Sequence, residues 1–288
     1  MVRSGRRLPF GFVARRHGRA LGERGDIIKR LHKAVAKEGA SRAPSSWALE
    51  GERHGEPVIG RLIARGLDDE LRGSAFAVVD GIDGRVHHLK LPEIDAASDG
   101  PIGCIVELRR FEDARGRQRV ALAVRSDLDL DQQVAAEGAT WLDRRLVARE
   151  ASDLSQGGFG AEVRTALDQR VDALVGQGLA RRDGDKVTIG RNLITTLRCR
   201  ELDTVGRRLA LETGLAHLPT EAGEPVSGVY RQRLSLASGR FAMIDNGLGF
   251  RLVPWIPSLE RELGREVNGI AGPSGVDWSF GRKRDLSL

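Results

Sequence analysis

The strongest constraint on the fold is a change of apolar period along the chain. From Pro57 to Ser126 the period is two. In GCIVELRR, Cys104, Val106 and Leu108 alternate with Ile105, Glu107 and Arg109; in RQRVALAV, Val120, Leu122 and Val124 alternate with Arg119, Ala121 and Ala123. FEDARG joins these two runs as an irregular hairpin loop. FAVVDGIDGRVHHLKL reads as a second hairpin turning at Asp83-Gly84. With PVIGRLIARG this makes about five short strands, which predicts a small β-barrel over 55–130, similar to an OB or SH3 fold.

The period then becomes helical. ATWLDRRLVARE reads as one helix and GFGAEVRTALDQRVDALVGQG as another, with Val163, Leu167, Val171, Leu174 and Val175 on one stripe. LARRDGDKVTIG reads as two short strands around Asp183-Gly184. A long helix follows, containing Leu193, Ile194, Leu197, Leu202, Val205 and Leu209. Helix, helix, hairpin, helix is a winged-helix-like order, placed over 138–217. From Val226 strands return in GVYRQRLSL, GRFAMID and GFRLVPW. A helix in SLERELG and two terminal strands in EVNGIAG and GVDWSFG complete a mostly-β domain over 222–288. The expected fold class is α+β.

Ahead of the first strands, residues 1–25 are rich in Arg and Gly without apolar period and read as disordered. GDIIKRLHKAVAKEG follows as a short amphipathic helix capped at Asp26, with Ile27, Ile28, Leu31 and Val35 on one face. APSSW and the stretch to His54 read as a linker, so 1–54 form a basic start with one helix. Charge is concentrated there. Residues 1–50 hold 12 Lys/Arg against 4 Asp/Glu, and the remainder 34 against 36, for a net +6 overall. The polyanion candidates are therefore Lys29, Arg30, Lys33 and Lys37 on the polar face of that helix, beside the plainer reading of a solvated face. The hairpin residues Arg181, Arg182 and Lys186 are placed to touch a backbone phosphate, with Leu179, Val187 and Ile189 facing inward. The helix before them shows Glu162, Asp168 and Asp172 beside Arg164 and Arg170, a mixed face that fits a major groove poorly.

Other chemistry is sparse. His87-His88 alternate across a strand, so their rings point to opposite faces and cannot share a metal. Tyr230, the only tyrosine, lies near Arg231, Arg233 and Arg240 and reads either as a phosphate-attacking nucleophile or as a wall residue of a sheet. Cys104 and Cys199 lie far apart and read as reduced core residues. No apolar run approaches the roughly 18–20 residues of a membrane span, and MVRSGRRLPFGF lacks the apolar stretch of an export signal, so the chain is expected to be cytoplasmic without membrane insertion. No cofactor or metal is expected.

Several stretches together, DIIKRLHKAVAKEG, GRLIARGLDDELRGSAFAVVDGIDGRVHHLKL, ATWLDRRLVARE, GFGAEVRTALDQRVDALVGQGLA and GVYRQRLSLASGRFAMIDNGLGFRLVPWIPSLERELGREVNG with GVDWSFGRKR, resemble the C-terminal, poorly characterised region of plasmid mobilisation relaxases of the Vir type. Relaxases nick with a tyrosine and hold a metal on a His-x-His-containing cluster. Here His17, His32, His54, His87, His88 and His217 include no two separated by a single intervening residue, and Tyr230 falls in the tail-like region. The resemblance thus implies the relaxase tail without its catalytic nuclease domain, and a half-buried strand role for Tyr230. The expected function is a non-catalytic DNA-binding accessory region in plasmid mobilisation, alongside relaxosome proteins. The alternative is a docking module recognised by the coupling protein of a type IV secretion system. Arg282, Lys283 and Arg284 in the terminal FGRKRDLSL would then be its secretion signal, beside a simpler role in solubility.

Overall fold

The computed structural model of the chain describes residues 27, 29–31, 33, 47–49, 58–69, 73–97, 99–113, 115–148, 154–184, 186–273 and 275–280. These are α+β, in two compact units: residues 1–123 with 155–160, and residues 124–154 with 161–288.

The first unit is built on a six-stranded sheet in the order β1-β4-β3-β2-β5-β6, from β1 (Trp47–Leu49), β2 (Ile59–Asp69), β3 (Ser74–Gly81), β4 (Val86–Leu91), β5 (Ile105–Glu112) and β6 (Gln118–Ser126). The five strands expected from the period of two are present. They do not close into the expected barrel, because β1 and β6 remain as the sheet's two edges. The physical reason is that both faces are apolar. Leu62, Ala77, Val79, Leu89, Val106 and Leu108 bury one face under the short turn Ile94–Ala97. Ile63, Val78 and Val86 bury the other under Ile27 and Leu31. A small barrel has one interior face, whereas this sheet is covered on two. β1 lies in the segment read as linker and pairs in parallel with β4 from Trp47↔Val86 to Leu49↔His88. The β3–β4 turn has Gly84 at φ 81, a conformation glycine adopts without Cβ strain.

The second unit carries the helices α1 (Leu130–Ala135), α2 (Trp141–Ala148), α3 (Gly158–Gly176), which belongs to it from Ala161 onward, and α4 (Leu193–Thr213). A two-stranded hairpin, β7 (Ala180–Asp183) and β8 (Lys186–Ile189), stands between the last two. The second six-stranded sheet has the order β14-β13-β10-β11-β12-β9. Its strands are β9 (Ala216–His217), β10 (Pro225–Leu236), β11 (Gly239–Asp245), β12 (Gly249–Pro254), β13 (Glu266–Gly272) and β14 (Gly275–Ser279). The helix expected in SLERELG forms as a 3-10 helix over Pro257–Glu262, only six residues long. α1 starts on a reciprocal cap: Asp129 Oδ1 accepts from Gln132 N at 2.8 Å, and Gln132 Oε1 accepts from Asp129 N at 3.1 Å.

One stripe on α4 joins the helices to this sheet. Leu193 and Leu197 pack with Ala139 and Leu174, while Val205 and Leu209 pack on Met243, Phe250 and Leu252. The spacing of four makes a ridge that winds slowly around the helix, so its first part meets the other helices and its last part the sheet. Glu201, midway along that stripe, accepts from the amides of Ala237 at 2.8 Å and Ser238 at 2.9 Å. Cys104 is buried as expected; Cys199, on α4, is exposed and belongs to no core.

Candidate nucleic-acid interface

The first cationic candidates fall on residues 27, 29–31 and 33, which are helical. Ile27 and Leu31 anchor this turn in the core, which leaves Lys29 and Lys33 exposed. Arg30 does not simply face solvent. Its guanidinium pairs with Asp68 and lies 4.6 Å from the centre of the Phe76 ring. Phe76 in turn stacks on His88 at 5.5 Å. His88 is buried, and loss of hydration, then the Arg30 charge, pull its pKa down to about 4. His87 points the other way, with Nε2 at 3.0 Å from Asp83, so the two imidazoles are split across β4. Lys37 lies outside the described residues, as do Arg282, Lys283 and Arg284.

The β7–β8 hairpin forms as the sequence suggests, but its cations have local partners. Ala180 pairs with Ile189 and Arg182 with Val187, so Arg182 shares its strand face with the core residue Ala180. That face looks back to α3, where the Arg182 guanidinium meets Asp172 at 3.1 Å. On the other face Arg181 meets Asp183 at 3.4 Å. Lys186 is exposed at the turn. Val187 lies on the same face as Arg182 but stays 36% exposed, because the hairpin outruns the bundle beneath it and only Leu179, Ala180 and Ile189 reach the core.

The preceding helix is less suited to DNA than its sequence implies. Glu162, Asp168 and Asp172 are all exposed on it. Arg164, half-buried, donates to the Leu154 carbonyl at 3.0 Å. Arg170 is 0% exposed and every nitrogen of its guanidinium has a partner. Nε and Nη2 reach the two oxygens of Asp143 at 2.8 Å each. Nη1 donates to the carbonyls of Val134 and Ala136, and Nη2 also to that of Gly138. Neither arginine therefore sits on the solvent face, and that face is acidic. It would repel phosphate.

A third basic element lies outside the motifs of the sequence: the β5–β6 hairpin. β2 pairs with β5 only from Ile105 to Glu107, and beyond that Leu108 N donates to Val58 O at 2.8 Å. Past Leu108 the alternation of burial ends, and Arg109, Arg110, Phe111 and Glu112 are all exposed. The two strands run on as a ribbon that carries Arg109, Arg110, Arg115, Arg117 and Arg119, with Phe111 49% exposed among them. Asp113 organises its tip, accepting from the amides of Arg115 at 2.9 Å and Arg117 at 3.0 Å, and from the Nε atoms of Arg117 and Arg119 at 3.0 Å each. These bonds, the Arg117 amide foremost, hold its carboxyl at about 2. Arg109 also meets Glu107 at 3.3 Å. A signal for this element exists in the sequence: Arg110 and Glu112 stand where the inward series Val106, Leu108 should continue, so an apolar core cannot lie beneath them.

Tyr230 resolves toward the wall of the sheet, and further than the half-buried role expected. It is 1% exposed, packed with Val226, Ala242, Ile244, Val253, Leu259 and Val267. Gly228, at φ 146, lies so close to β11 that a Cβ there would sit 2.3 Å from the Asp245 carbonyl oxygen. Loss of hydration raises the Tyr230 pKa, which opposes formation of a nucleophilic phenolate. Among the described residues no group of three metal-ligating side chains converges, and no helix is long and apolar enough to cross a membrane. Two overlapping segments of the chain, residues 13–115 and 107–287, match the family described as Protein of unknown function (DUF3363). No curated protein matches the sequence.

Proposed function

For a chain that belongs to the family Protein of unknown function (DUF3363), we propose a non-catalytic DNA-binding accessory role, in which the β5–β6 ribbon meets the nucleic acid. The observation that carries the reading is the ribbon itself. It bears five arginines on two strands and the turn that joins them, continuing past the core, with an aromatic ring exposed among them. A two-stranded ribbon fits a major groove about 12 Å wide, and guanidinium groups suit both phosphates and guanine edges. Asp113 fixes two of the guanidinium groups in advance, which lowers the ordering cost on binding. The place of this module beside a conjugative relaxase rests on the sequence resemblance alone. The buried position of Tyr230 weighs against this residue as a strand-cleaving nucleophile.

Fluorescence anisotropy with duplex and single-stranded DNA at two salt concentrations tests the proposal. Replacing Arg109, Arg110 and Arg115 by Gln should weaken duplex binding by about a hundredfold. It should also reduce the slope of log K against log salt by about 2–3, at roughly 0.9 for each phosphate no longer neutralised. Unchanged affinity and slope in that variant would refute the ribbon as the DNA-binding element.

A further inference from the structure

Contacts to phosphate leave the exposed ring of Phe111 without a role. Arg109 and Phe111 stand two residues apart in β5 and so share one face of the ribbon. Asp113 follows in the same alternation, just past the end of the strand. Its amide donates to the Arg117 carbonyl at 2.9 Å, so the pairing of the two chains runs on beyond the ring. Its carboxylate accepts from Nε of Arg117 and of Arg119 at 3.0 Å each, which draws both guanidinium groups toward that face.

A single exposed phenylalanine is ordinary on a protein surface. What sets this one apart is the behaviour of the arginines beside it. Elsewhere arginines lie over aromatic rings: Arg30 over Phe76 at 4.6 Å, Arg61 over Phe159 at 4.8 Å and Arg145 over Trp141 at 5.2 Å. Trp255 carries two, Arg233 at 4.9 Å and Arg240 at 5.6 Å. Among the described residues no guanidinium lies over Phe111. The arginines near it turn to carboxylates instead. Arg109 meets Glu107 at 3.3 Å, Arg117 meets Asp113, and Arg119 meets Asp113 and, at 4.0 Å, Glu93. The ribbon therefore presents an uncovered aromatic face with cations held to its side.

That pairing suits an unpaired base, which stacks on an aromatic ring while cations hold the phosphates on either side of it. A base inside an intact duplex is stacked on both faces already and leaves the ring little to gain. We propose that the ribbon selects DNA in which a base is unpaired, and that Phe111 stacks on that base. This inference rests on the ribbon being the DNA-binding element and adds the form of DNA that it recognises.

Anisotropy titrations of the full chain with an intact duplex, and with the same duplex carrying one unpaired thymine, test it. Wild type should bind the duplex with the unpaired base about tenfold more tightly. Phe111→Leu keeps apolar bulk without the ring and should lose that preference with an unchanged melting temperature, whereas Phe111→Tyr should keep it. With 5-iodouracil as the unpaired base, irradiation should crosslink it to Phe111. The Gln variant of Arg109, Arg110 and Arg115 separates this inference from the reading beneath it: both duplexes should bind more weakly, with their ratio preserved. Unchanged affinity for both in that variant would remove the ribbon as the DNA-binding element, and this inference with it. Equal binding of the two duplexes by wild type, or an equal preference in Phe111→Leu, would overturn the present proposal and leave the ribbon standing.

Discussion

The β5–β6 and β7–β8 hairpins are built from similar residues and arrive at opposite electrostatics. Each is a two-stranded element carrying arginines and a turn carboxylate. In β7–β8 the carboxylates work against an outside ligand: Asp172 holds Arg182, Asp183 meets Arg181, and the adjoining side of α3 presents Glu162 and Asp168. In β5–β6 Asp113 sits inside the tip and braces Arg117 and Arg119, and Glu107 meets Arg109, while the strands continue past the sheet with Arg110 and Arg115 also exposed beside Phe111. Counting charges along the sequence favours the N-terminal segment and treats the hairpins alike. What separates them is whether the strand outruns its core and where the neighbouring acids point.

The helical segment near β7–β8 uses its most suggestive arginine for stability, and the comparison breaks if it does not. Arg170→Met would leave Asp143 buried with Thr140 and three carbonyls without their donor. We expect a loss of about 3–5 kcal/mol in urea unfolding, partly recovered when Asp143 is replaced by Leu as well. A loss below about 1 kcal/mol would mean that Arg170 is dispensable to the fold and available for other roles.

In the first unit the sheet face that covers Phe76 should be sensitive to acid. His88 titrates at about 4 when folded, against an ordinary value of 6.5. Its folded pKa is depressed, so the unfolded chain binds the proton first. The stability is fully present above about pH 6.5 and is lost as pH falls through 4, amounting to roughly 2–4 kcal/mol. Denaturant melts between pH 7 and 4 should show this slope, and His88→Phe should flatten it. An equal slope in the variant would assign the acid sensitivity to other groups.

The smallest effect is expected at β7–β8. Replacing Arg182 and Lys186 by Gln should change duplex affinity less than about twofold, or about 0.4 kcal/mol, with stability altered within about ±0.5 kcal/mol. A tenfold loss would restore this hairpin as a DNA contact and weaken the contrast drawn with β5–β6.

Much of the strand and helix framework is legible in the periodicity, and specific failures mark its limits. Alternation in GCIVELRR and RQRVALAV locates β5 and β6, and the spacing of four from Leu193 to Leu209 locates α4. β1 escapes such reasoning because three residues carry no period, and its parallel pairing joins it to a strand almost forty residues later. α1 carries a readable capping pair in Asp129 and Gln132, a signal independent of apolar period. Alternation points to a barrel because it identifies one apolar face and says little about the other, where a bulge between Leu62 and Ala64 turns Ile63 to the helical side. Among the site residues, the exposure of Arg109 and Arg110 is legible from the polar residues at inward positions. The burial of Arg170 is not. Its partners are Asp143, 27 residues earlier, and a loop of carbonyls that come together only in three dimensions.

Hydrogen–deuterium exchange of the full chain with and without a saturating duplex compares the two hairpins in one experiment. Slowed exchange concentrated in residues 109–119, with residues 180–189 unchanged, is the result expected if the β5–β6 ribbon enters the groove. Protection confined to residues 180–189, or none in either hairpin when DNA is bound, would contradict it.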